Sequence, residues 1–506
     1  MKFKRSLLPL LAIFLVCLYP GAFYYLQNAD EAHPVDILPM LGLLLLTAAV
    51  LFLISFLILR RFDAAGLFTG VAMILVGNSG LISRYLKYYF RWYHDRYLLI
   101  LVALLLVLLL LLLVRKKKFP AWECCAILAI LFGALTVIRL IPAIPTLWTV
   151  HTTRMDQLDI DPEQVTFQGE KPNVYYFIVD EYGGTENLSR YFDFDNEEFV
   201  TYLKDNKFNV SDTTENTESI WTATLVPNLL NISYAVEDEI PARAKEKYMD
   251  NPLLMQLFRN NGYQVNLISD QAFVGETGAT LISPKQYPER ITGIVFDHSI
   301  YAVLPYVRGW LRDRMGLEDT MSRRDHLLEI FQSMETCTDY VGSEPTLTVG
   351  YVGCPHYPFV FDAEGNPTDQ HQNVKDHHYY LDQIRYLNSV LEITFNRILE
   401  KDPEAVIVIQ SDHGARYPGQ MLLFYGEPDY DPFLETPFMQ NSLNCVYWGG
   451  RALEIEGETG INTWRILLNE MFGTDFPMLT PPEGYTCYGK SWHDKPYIPE
   501  HAVRPS

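Results

Sequence analysis

Acidic residues are scarce at the start of this chain, and basic residues are scarce in the rest of it. Residues 1–150 contain 6 Asp+Glu against 14 Lys+Arg, which leaves 55 of the 61 acidic and 26 of the 40 basic side chains for the remainder. The first region therefore has a formal net charge of +8 and the second a formal net charge of −29. Opposite charge balances in two long regions indicate two different surroundings. The acidic second region also argues against a nucleic-acid partner, because nucleic-acid phosphates bind basic surfaces.

Cysteine is also sparse, with 7 residues in 506, and its spacing matches no zinc-binding motif. Three cysteines lie in apolar runs of the first region. The other four lie in the acidic region: Cys337, Cys354, Cys445 and Cys487. Four cysteines allow three disulfide pairings, but a domain of this size does not need covalent cross-links. We therefore predict no particular disulfide bond.

The first region contains five long apolar stretches, each close to the roughly 20 residues that cross a bilayer core as a helix. They are 6–26, 37–59, 64–83, 98–114 and 124–144. The first lacks a small-residue cleavage site and is followed by further apolar stretches, so a membrane span is favoured over a removable signal peptide. We expect residues 1–149 to form a membrane domain with five transmembrane helices.

The orientation of the spans in the membrane is predicted from the basic residues of the loops, which favour the cytoplasmic side. Five spans with the N-terminus inside place nine Lys+Arg inside and four outside. A four-span alternative, in which 64–83 does not cross, gives the same two counts but a cytoplasmic acidic region. Because 64–83 is a full 20 residues without charge, it favours the five-span topology. We expect a multi-pass protein of the cell membrane with its acidic region outside.

The acidic region alternates between strand and helix patterns after a polar linker, 150–171. Short apolar runs typical of buried strands are 173–179, 263–268, 346–352 and 405–409. Segments with helical spacing are 196–207, 252–261, 323–338, 379–400 and 462–471. Alternating strands and helices predict an α/β domain over 172–506, with a doubly wound, mostly parallel sheet that helices cover on both faces.

Chemistry-bearing side chains follow three of these apolar runs. In open parallel sheets, ligands bind outside the carboxyl ends of the strands. Asp180 follows the first run, His356 follows the third, and Asp412 with His413 follows the last. Carboxylate oxygens and an imidazole nitrogen that converge from two strands can hold a divalent cation. The alternatives are a helix-capping role for Asp180 and an Asx turn with an exposed histidine at Asp412 and His413.

A hydroxyl group and a second histidine complete the candidates. The segment TESIWTATLVPNLLN places Thr222 and Thr224 near the start of a predicted helix. The helix dipole and a nearby metal would both favour an oxygen nucleophile there, although a threonine at this position also serves as an ordinary N-cap. His356, in PHYPF, could protonate a leaving group or bind a phosphate oxygen, or it could be structural.

Four segments carry a resemblance to a known family: NVYYFIVDEYGG, SIWTATLVPNLL, GCPHYPFVFDAEGN and VIVIQSDHGARYPG. Their order and spacing resemble the sulfatase-like branch of the alkaline phosphatase superfamily. With five preceding apolar stretches, the whole chain resembles lipoteichoic acid synthase and related membrane phosphoglycerol and phosphoethanolamine transferases. A sulfatase of this branch needs a CxPSR-like motif for formylglycine formation. The chain has no such motif, which disfavours cleavage of sulfate esters.

The resemblance implies roles for individual residues. Thr222 would be the nucleophile, and its distance from the double leucine at 229–230 favours it over Thr224, although the family often has proline where Thr224 stands. His356 would bind substrate, and Arg416 is a second candidate for that role, or an ordinary surface arginine. The implied metal ligands are Asp180, Thr222, Asp412 and His413. They would hold one divalent metal, with manganese favoured and zinc as the alternative.

The implied activity is transfer of a phospho-headgroup, phosphoglycerol or phosphoethanolamine, from a membrane lipid to a cell-surface glycan or polymer. A covalent phospho-threonine would be the intermediate. One alternative is a surface phosphodiesterase with the same site and water as acceptor. Another is a catalytically silent membrane scaffold, which would have no reason to retain both the nucleophile and the ligands.

The topology can be tested with protease added to spheroplasts. If the acidic region lies outside, protease should release a soluble fragment that begins between residues 150 and 171, because the linker is the exposed polar connection. N-terminal sequencing of the released fragment gives the cleavage point. Cleavage that occurs only after lysis would place the domain in the cytoplasm and support four spans.

Overall fold

The computed structural model describes residues 2–90, 92–153, 158–269, 278–283, 291–304, 307–314, 322–368, 377–415, 440–482, 486–487 and 490–491. The chain forms two compact units. The first comprises Met1–Thr152 and Tyr287–Thr320, and the second comprises Thr153–Gln286 and Met321–Ser506. A segment from the acidic half of the sequence thus belongs to the unit of the N-terminal helices, which no sequence pattern indicated.

Five long helices account for most of the first unit: α1 (Lys2–Gln27), α2 (Leu38–Leu59), α3 (Phe62–Tyr89), α4 (Asp95–Arg115) and α5 (Ala121–Thr152). All five are long and apolar enough to cross a membrane. The five predicted apolar helices are therefore confirmed. Small residues let α3 approach its neighbours closely, because a Cβ atom on Gly66 would lie 2.4 Å from the Cβ of Pro9 in α1.

The second unit is built on a seven-stranded sheet with the order β2-β7-β6-β1-β5-β3-β4. Its strands are β1 (Val174–Asp180), β2 (Asn209–Ser211), β3 (Gln264–Ser269), β4 (Thr280–Leu281), β5 (Thr346–Pro355), β6 (Val406–Ser411) and β7 (Asn444–Trp448). All neighbouring pairs are parallel except the two that involve β7. The sheet is therefore mostly parallel, as predicted. Strands β8 (Thr486–Cys487) and β9 (Lys490–Ser491) form a separate antiparallel pair.

Helices complete the chain. They are α6 (Thr185–Phe192), α7 (Glu197–Asp205), α8 (Thr222–Asn231), α9 (Ala242–Lys245), α10 (Lys247–Asp250), α11 (Leu253–Asn260), α12 (Ile291–His298), α13 (Arg308–Arg314), α14 (Arg323–Glu335), α15 (His378–Lys401) and α16 (Gly460–Phe472). Of these, α12 and α13 belong to the first unit and the others to the second.

The sheet is buried on both faces, which is the doubly wound arrangement that the sequence predicts. Side chains alternate along β1, so that Tyr175 and Phe177 face one hydrophobic cluster while Tyr176 and Ile178 face another. The first cluster includes side chains of α14 and α15, and the second includes side chains of α8, α11 and α16. Among the described residues, Cys337, Cys354 and Cys445 form no disulfide bond with one another.

A buried arginine connects α16 to the segments around it. The fully buried guanidinium of Arg465 donates to both carboxylate oxygens of Asp159 at 2.8 and 2.9 Å. It also donates to the carbonyl oxygens of Ile232 and Pro477, at 2.7–2.9 Å and 2.8 Å respectively. Four acceptors in three chain segments therefore depend on one cation.

We predict that Arg465→Met lowers the free energy of unfolding by about 3 kcal/mol, because it leaves these acceptors without their donor. The matched control is Arg451→Met, which removes only a guanidinium stacked on Trp448. Thermal unfolding of the purified full-length protein, followed by tryptophan fluorescence, measures both. Equal melting temperatures for the two variants would show that the buried network contributes no net stability.

Candidate active site

Three adjacent strands bring the chemistry-bearing residues to one edge of the sheet. Strand β1 lies between β6 and β5 and runs parallel to both. At the carboxyl ends, Val179 pairs with Ser411 and Asp180 pairs with Pro355. The residues that immediately follow the three strands must therefore lie side by side, which is the reason that sequence position predicts a shared site.

The end of β1 is fixed by a tight turn at Glu181. This residue has φ +70°, a left-handed backbone conformation that is uncommon for residues other than glycine and costs on the order of 1 kcal/mol or more. The turn lets the amide of Glu181 donate to Oδ1 of Asp412 at 3.3 Å and the amide of Tyr182 donate to Oγ of Ser411 at 2.8 Å. Backbone groups after β1 thus bind side chains after β6, and the two strand ends are held together.

Asp180, Asp412 and His413 form a buried group that could hold a metal ion. Their candidate ligand atoms all lie within 4.8 Å of one another. Nε2 of His413 is 3.5 Å from Oδ1 of Asp180 and 3.8 Å from Oδ2 of Asp412, and all three side chains are at most 5% exposed. Ligands about 2.0–2.2 Å from one ion are at most about 4.4 Å apart. Small side-chain movements would therefore bring these atoms into one coordination sphere.

The orientation of His413 suits a metal ligand. Its Nδ1 lies 2.8 Å from the carbonyl oxygen of Gly414, an acceptor, so Nδ1 carries the proton and donates to it. With the proton on Nδ1, the lone pair of Nε2 can bind a metal beside the two carboxylates. A carbonyl that fixes the tautomer of a histidine in this way is the usual support of a metal-binding imidazole.

Electrostatics favour ionisation of both carboxyl groups only when a cation is present. Burial raises the pKa of the Asp412 carboxyl well above its usual range, and the charge of Asp180 raises it further. The hydroxyl of Thr222 and the amides of His413 and Glu181 act in the opposite direction. A divalent cation would offset the repulsion between the two carboxylates. Two hard oxygen ligands and one imidazole fit such a metal by their chemistry.

The structure brings Thr222 to this group. Thr222 is the first residue of α8, and its Oγ1 is 3.3 Å from Nε2 of His413. Thr224 instead belongs to a buried polar network, where its hydroxyl donates to Asp238 at 2.5 Å and accepts from Nζ of Lys245 at 2.7 Å. The geometry therefore separates two threonines that the sequence alone could not distinguish from their residue type.

His356 lies at the same edge of the sheet, just after β5. Its Nε2 is 3.9 Å from a carboxylate oxygen of Glu181, and its side chain is 25% exposed, so it is accessible to a ligand in solution. Gln383 on α15 holds this loop, because it donates to the carbonyl of Pro355 at 2.9 Å and accepts from the amide of Val360 at 2.8 Å. Arg416, the other predicted substrate-binding residue, lies outside the described residues.

Several side chains that support the site were not predicted. The hydroxyl of Tyr351, on β5, donates to Oδ2 of Asp180 at 2.6 Å, and Oγ of Ser411 donates to the carbonyl of His413 at 2.6 Å. The hydroxyl of Tyr380, on α15, donates to the carbonyl of Glu181 at 2.7 Å. Of these residues, only Ser411 could have been suspected from the sequence, because it directly precedes Asp412. A tyrosine inside an apolar strand or helix is expected to belong to the hydrophobic core.

Comparisons with known proteins rest on structure alone. No protein family model matches the chain, and no curated protein matches its sequence. Similar solved structures include the phosphoethanolamine transferase EptA from Neisseria meningitidis, at 12% identity, 92% coverage of this chain, 95% coverage of that chain and a TM-score of 0.42. The periplasmic domain of EptC from Escherichia coli, in complex with Zn, is similar at 14% identity, 60% coverage of this chain, 83% coverage of that chain and a TM-score of 0.39.

The periplasmic domain of the phosphoethanolamine transferase EptC from Campylobacter jejuni gives 13% identity, 60% coverage of this chain, 89% coverage of that chain and a TM-score of 0.38.

We predict that His413→Ala and Asp412→Ala each remove the bound metal while the domain stays folded, because an incomplete set of ligands leaves the ion hydrated and weakly held. Elemental analysis of purified protein gives the metal content, and circular dichroism reports folding. His378→Ala is the matched control, since this histidine is 64% exposed. Stoichiometric metal in both site variants would show that these residues are not ligands.

Proposed function

We propose that the chain is a metal-dependent transferase that moves a phospho-headgroup from a membrane lipid to an acceptor hydroxyl through a phospho-threonine intermediate. The observation that carries this proposal is the position of Thr222. Its hydroxyl stands at the start of a helix, 3.3 Å from His413 and beside two buried carboxylates. A hydroxyl in that position is a nucleophile with its activating groups already in place.

In the proposed site, Asp180, Asp412 and His413 hold one divalent metal, with the hydroxyl of Thr222 as a fourth ligand. When bound, the metal lowers the pKa of the hydroxyl and offsets negative charge on the phosphoryl oxygens. The family resemblance favours manganese, and zinc is the alternative, since both accept a set of oxygen and nitrogen ligands. Tyr351 keeps one carboxylate oxygen of Asp180 hydrogen-bonded and so fixes the direction of the other.

The first step forms a bond between Oγ1 of Thr222 and the phosphorus of the donor, and it breaks the bond from phosphorus to the lipid glycerol oxygen. Thr222 loses its hydroxyl proton, and the departing lipid alkoxide takes up a proton to leave as diacylglycerol. His356, at the same sheet edge and open to solvent, is positioned to bind the phosphoryl group or to supply that proton. The positive end of α8 also favours negative charge on the phosphoryl oxygens.

The second step transfers the headgroup to the acceptor. An acceptor hydroxyl attacks phosphorus, the bond from phosphorus to Oγ1 breaks, and Thr222 regains its proton. We propose a glycan or polymer at the cell surface as the acceptor, with phosphoglycerol or phosphoethanolamine as the headgroup. The apolar helices would keep the enzyme in the membrane that holds its donor, with the catalytic domain on the extracellular side.

We predict that Thr222→Ala abolishes turnover but retains bound metal, because its neutral hydroxyl is the weakest of the four ligands and the two carboxylates and the imidazole remain. Thr222→Ser should keep partial activity, since it preserves the oxygen but loses the methyl group that restricts its rotamer. Wild-type protein incubated with phosphatidylglycerol, and separately with phosphatidylethanolamine, should carry a phospho-headgroup on the peptide that contains Thr222. Mass spectrometry of proteolytic peptides detects the adduct.

Thr224→Ala is the matched control. It should destabilise the fold by about 1–3 kcal/mol, because it removes a hydroxyl that joins Lys245 to Asp238. The variant should nevertheless form the adduct on Thr222. An adduct on Thr224 in wild-type protein would move the nucleophile by two residues, and full activity of Thr222→Ala would exclude covalent catalysis by this residue. If water replaces the acceptor, released headgroup phosphate will appear without any acceptor present.

A further inference from the structure

We propose that residues 291–314, which come from the acidic half of the sequence, form a re-entrant membrane segment whose last helix lies among phospholipid headgroups. The segment consists of α12, a short 3-10 helix (Ile300–Val303) and α13. It belongs to the same compact unit as α1–α5. This inference does not depend on the proposed enzymatic reaction.

Hydrophobic packing integrates α12 into the helical unit. Val295 and Phe296 are 1% and 0% exposed and share a hydrophobic core with Met40 of α2 and Val76 of α3. The backbone of α3 also lies directly against the end of α12, since a Cβ atom on Gly80 would meet the carbonyl oxygen of Asp297 at 2.2 Å. A contact this close requires glycine at position 80, so the sequence of α3 permits α12 to pack against it.

Polar contacts show how far the segment reaches along the helices. The hydroxyl of Tyr24, on α1, is 2.5 Å from Nδ1 of His298, and the hydroxyl of Tyr301 contacts the hydroxyl of Thr47. Thr47 lies nine residues beyond the first residue of α2, which is about 13 Å along the helix axis. The segment therefore packs against the helical bodies of α1–α3 as well as against their connecting loops. Non-helical backbone beside membrane helices is tolerated where protein encloses it.

Helix α13 is largely exposed and has the composition of a membrane-interface helix. Leu311 is 9% exposed and faces the unit, whereas Trp310 is 60% exposed. Arg308 and Arg314 are exposed as well, and the guanidinium of Arg314 lies 6.0 Å from the indole ring of Trp310. Tryptophan is enriched at the level of lipid headgroups, and arginine beside it can bind headgroup phosphates.

The same unit exposes a row of aromatic residues where α3 ends and α4 begins. Tyr88, Tyr89 and Trp92 are 80%, 70% and 70% exposed. Gly80 and the start of α4 are near this end of the unit, which is also the end that receives α12. Exposed aromatic residues at the end of the unit that receives α12, together with a basic, tryptophan-bearing helix, favour a phospholipid surface as the occupant over another protein.

The test uses the photoreactive amino acid p-benzoylphenylalanine at position 310 of the full chain, in nanodiscs that contain phosphatidylglycerol and phosphatidylcholine. Two further positions are controls. Position 340 is chosen because Tyr340 is 47% exposed and belongs to the second unit, and position 296 because Phe296 is buried. After irradiation, mass spectrometry should find lipid adducts at position 310 several-fold above position 340, and cross-links within the chain at position 296. Equal lipid adducts at 310 and 340, or only protein adducts at 310, would overturn the proposal.

A second experiment addresses the role of the arginines. The melting temperature of wild-type protein should rise as phosphatidylglycerol replaces phosphatidylcholine, because exposed arginines attract anionic headgroups. The double variant Arg308→Gln and Arg314→Gln should lose much of that rise. An unchanged rise would contradict headgroup binding by α13. Because both side chains are exposed, the variant should fold.

Discussion

The buried pair of carboxylates, Asp180 and Asp412, is the constraint on which the candidate site depends. Neither group can hold its charge in a closed, apolar setting beside the other without a positive partner. The Nδ1 of His413 donates to a backbone carbonyl, which leaves Nε2 on the side of the carboxylates, where its lone pair can bind a cation. A divalent cation satisfies both carboxylates and the imidazole at once, and its position would place it beside the hydroxyl of Thr222.

The sheet makes this arrangement possible. Because β6, β1 and β5 are parallel neighbours, their carboxyl ends meet at one edge, and the turn at Glu181 then joins the ends of β1 and β6 through hydrogen bonds. The side chains of the candidate metal site thus lie at or directly after strand ends and at a helix start. Their partners, such as Tyr351, come from the same rigid elements. A preorganised site of this kind needs little rearrangement when a metal or phosphoryl group binds.

Much of this architecture could be predicted because buried parallel strands appear in the sequence as short apolar runs. The candidate site residues follow these runs directly. Asp180 and Asp412 were found in that way. Thr222 was preferred to Thr224 from its distance to the double leucine, and the contacts of Thr224 with Lys245 and Asp238 add that Thr224 belongs to a separate polar network. Strand β7 is short and antiparallel, so no periodicity marked it. The segment 291–314 carries both apolar and charged residues, and its place among the membrane helices follows from tertiary packing that no local pattern encodes.

The central claim is that one metal ion joins the two carboxylates, the imidazole and the nucleophile. Anomalous diffraction at the metal absorption edge, from crystals of the full-length protein, tests this directly. The account predicts a single strong peak among Asp180, Asp412 and His413, with Oγ1 of Thr222 at a bonding distance of about 2.0–2.2 Å. A peak bound by other residues, or a peak at this position with the Thr222 hydroxyl turned away from it, would contradict the account.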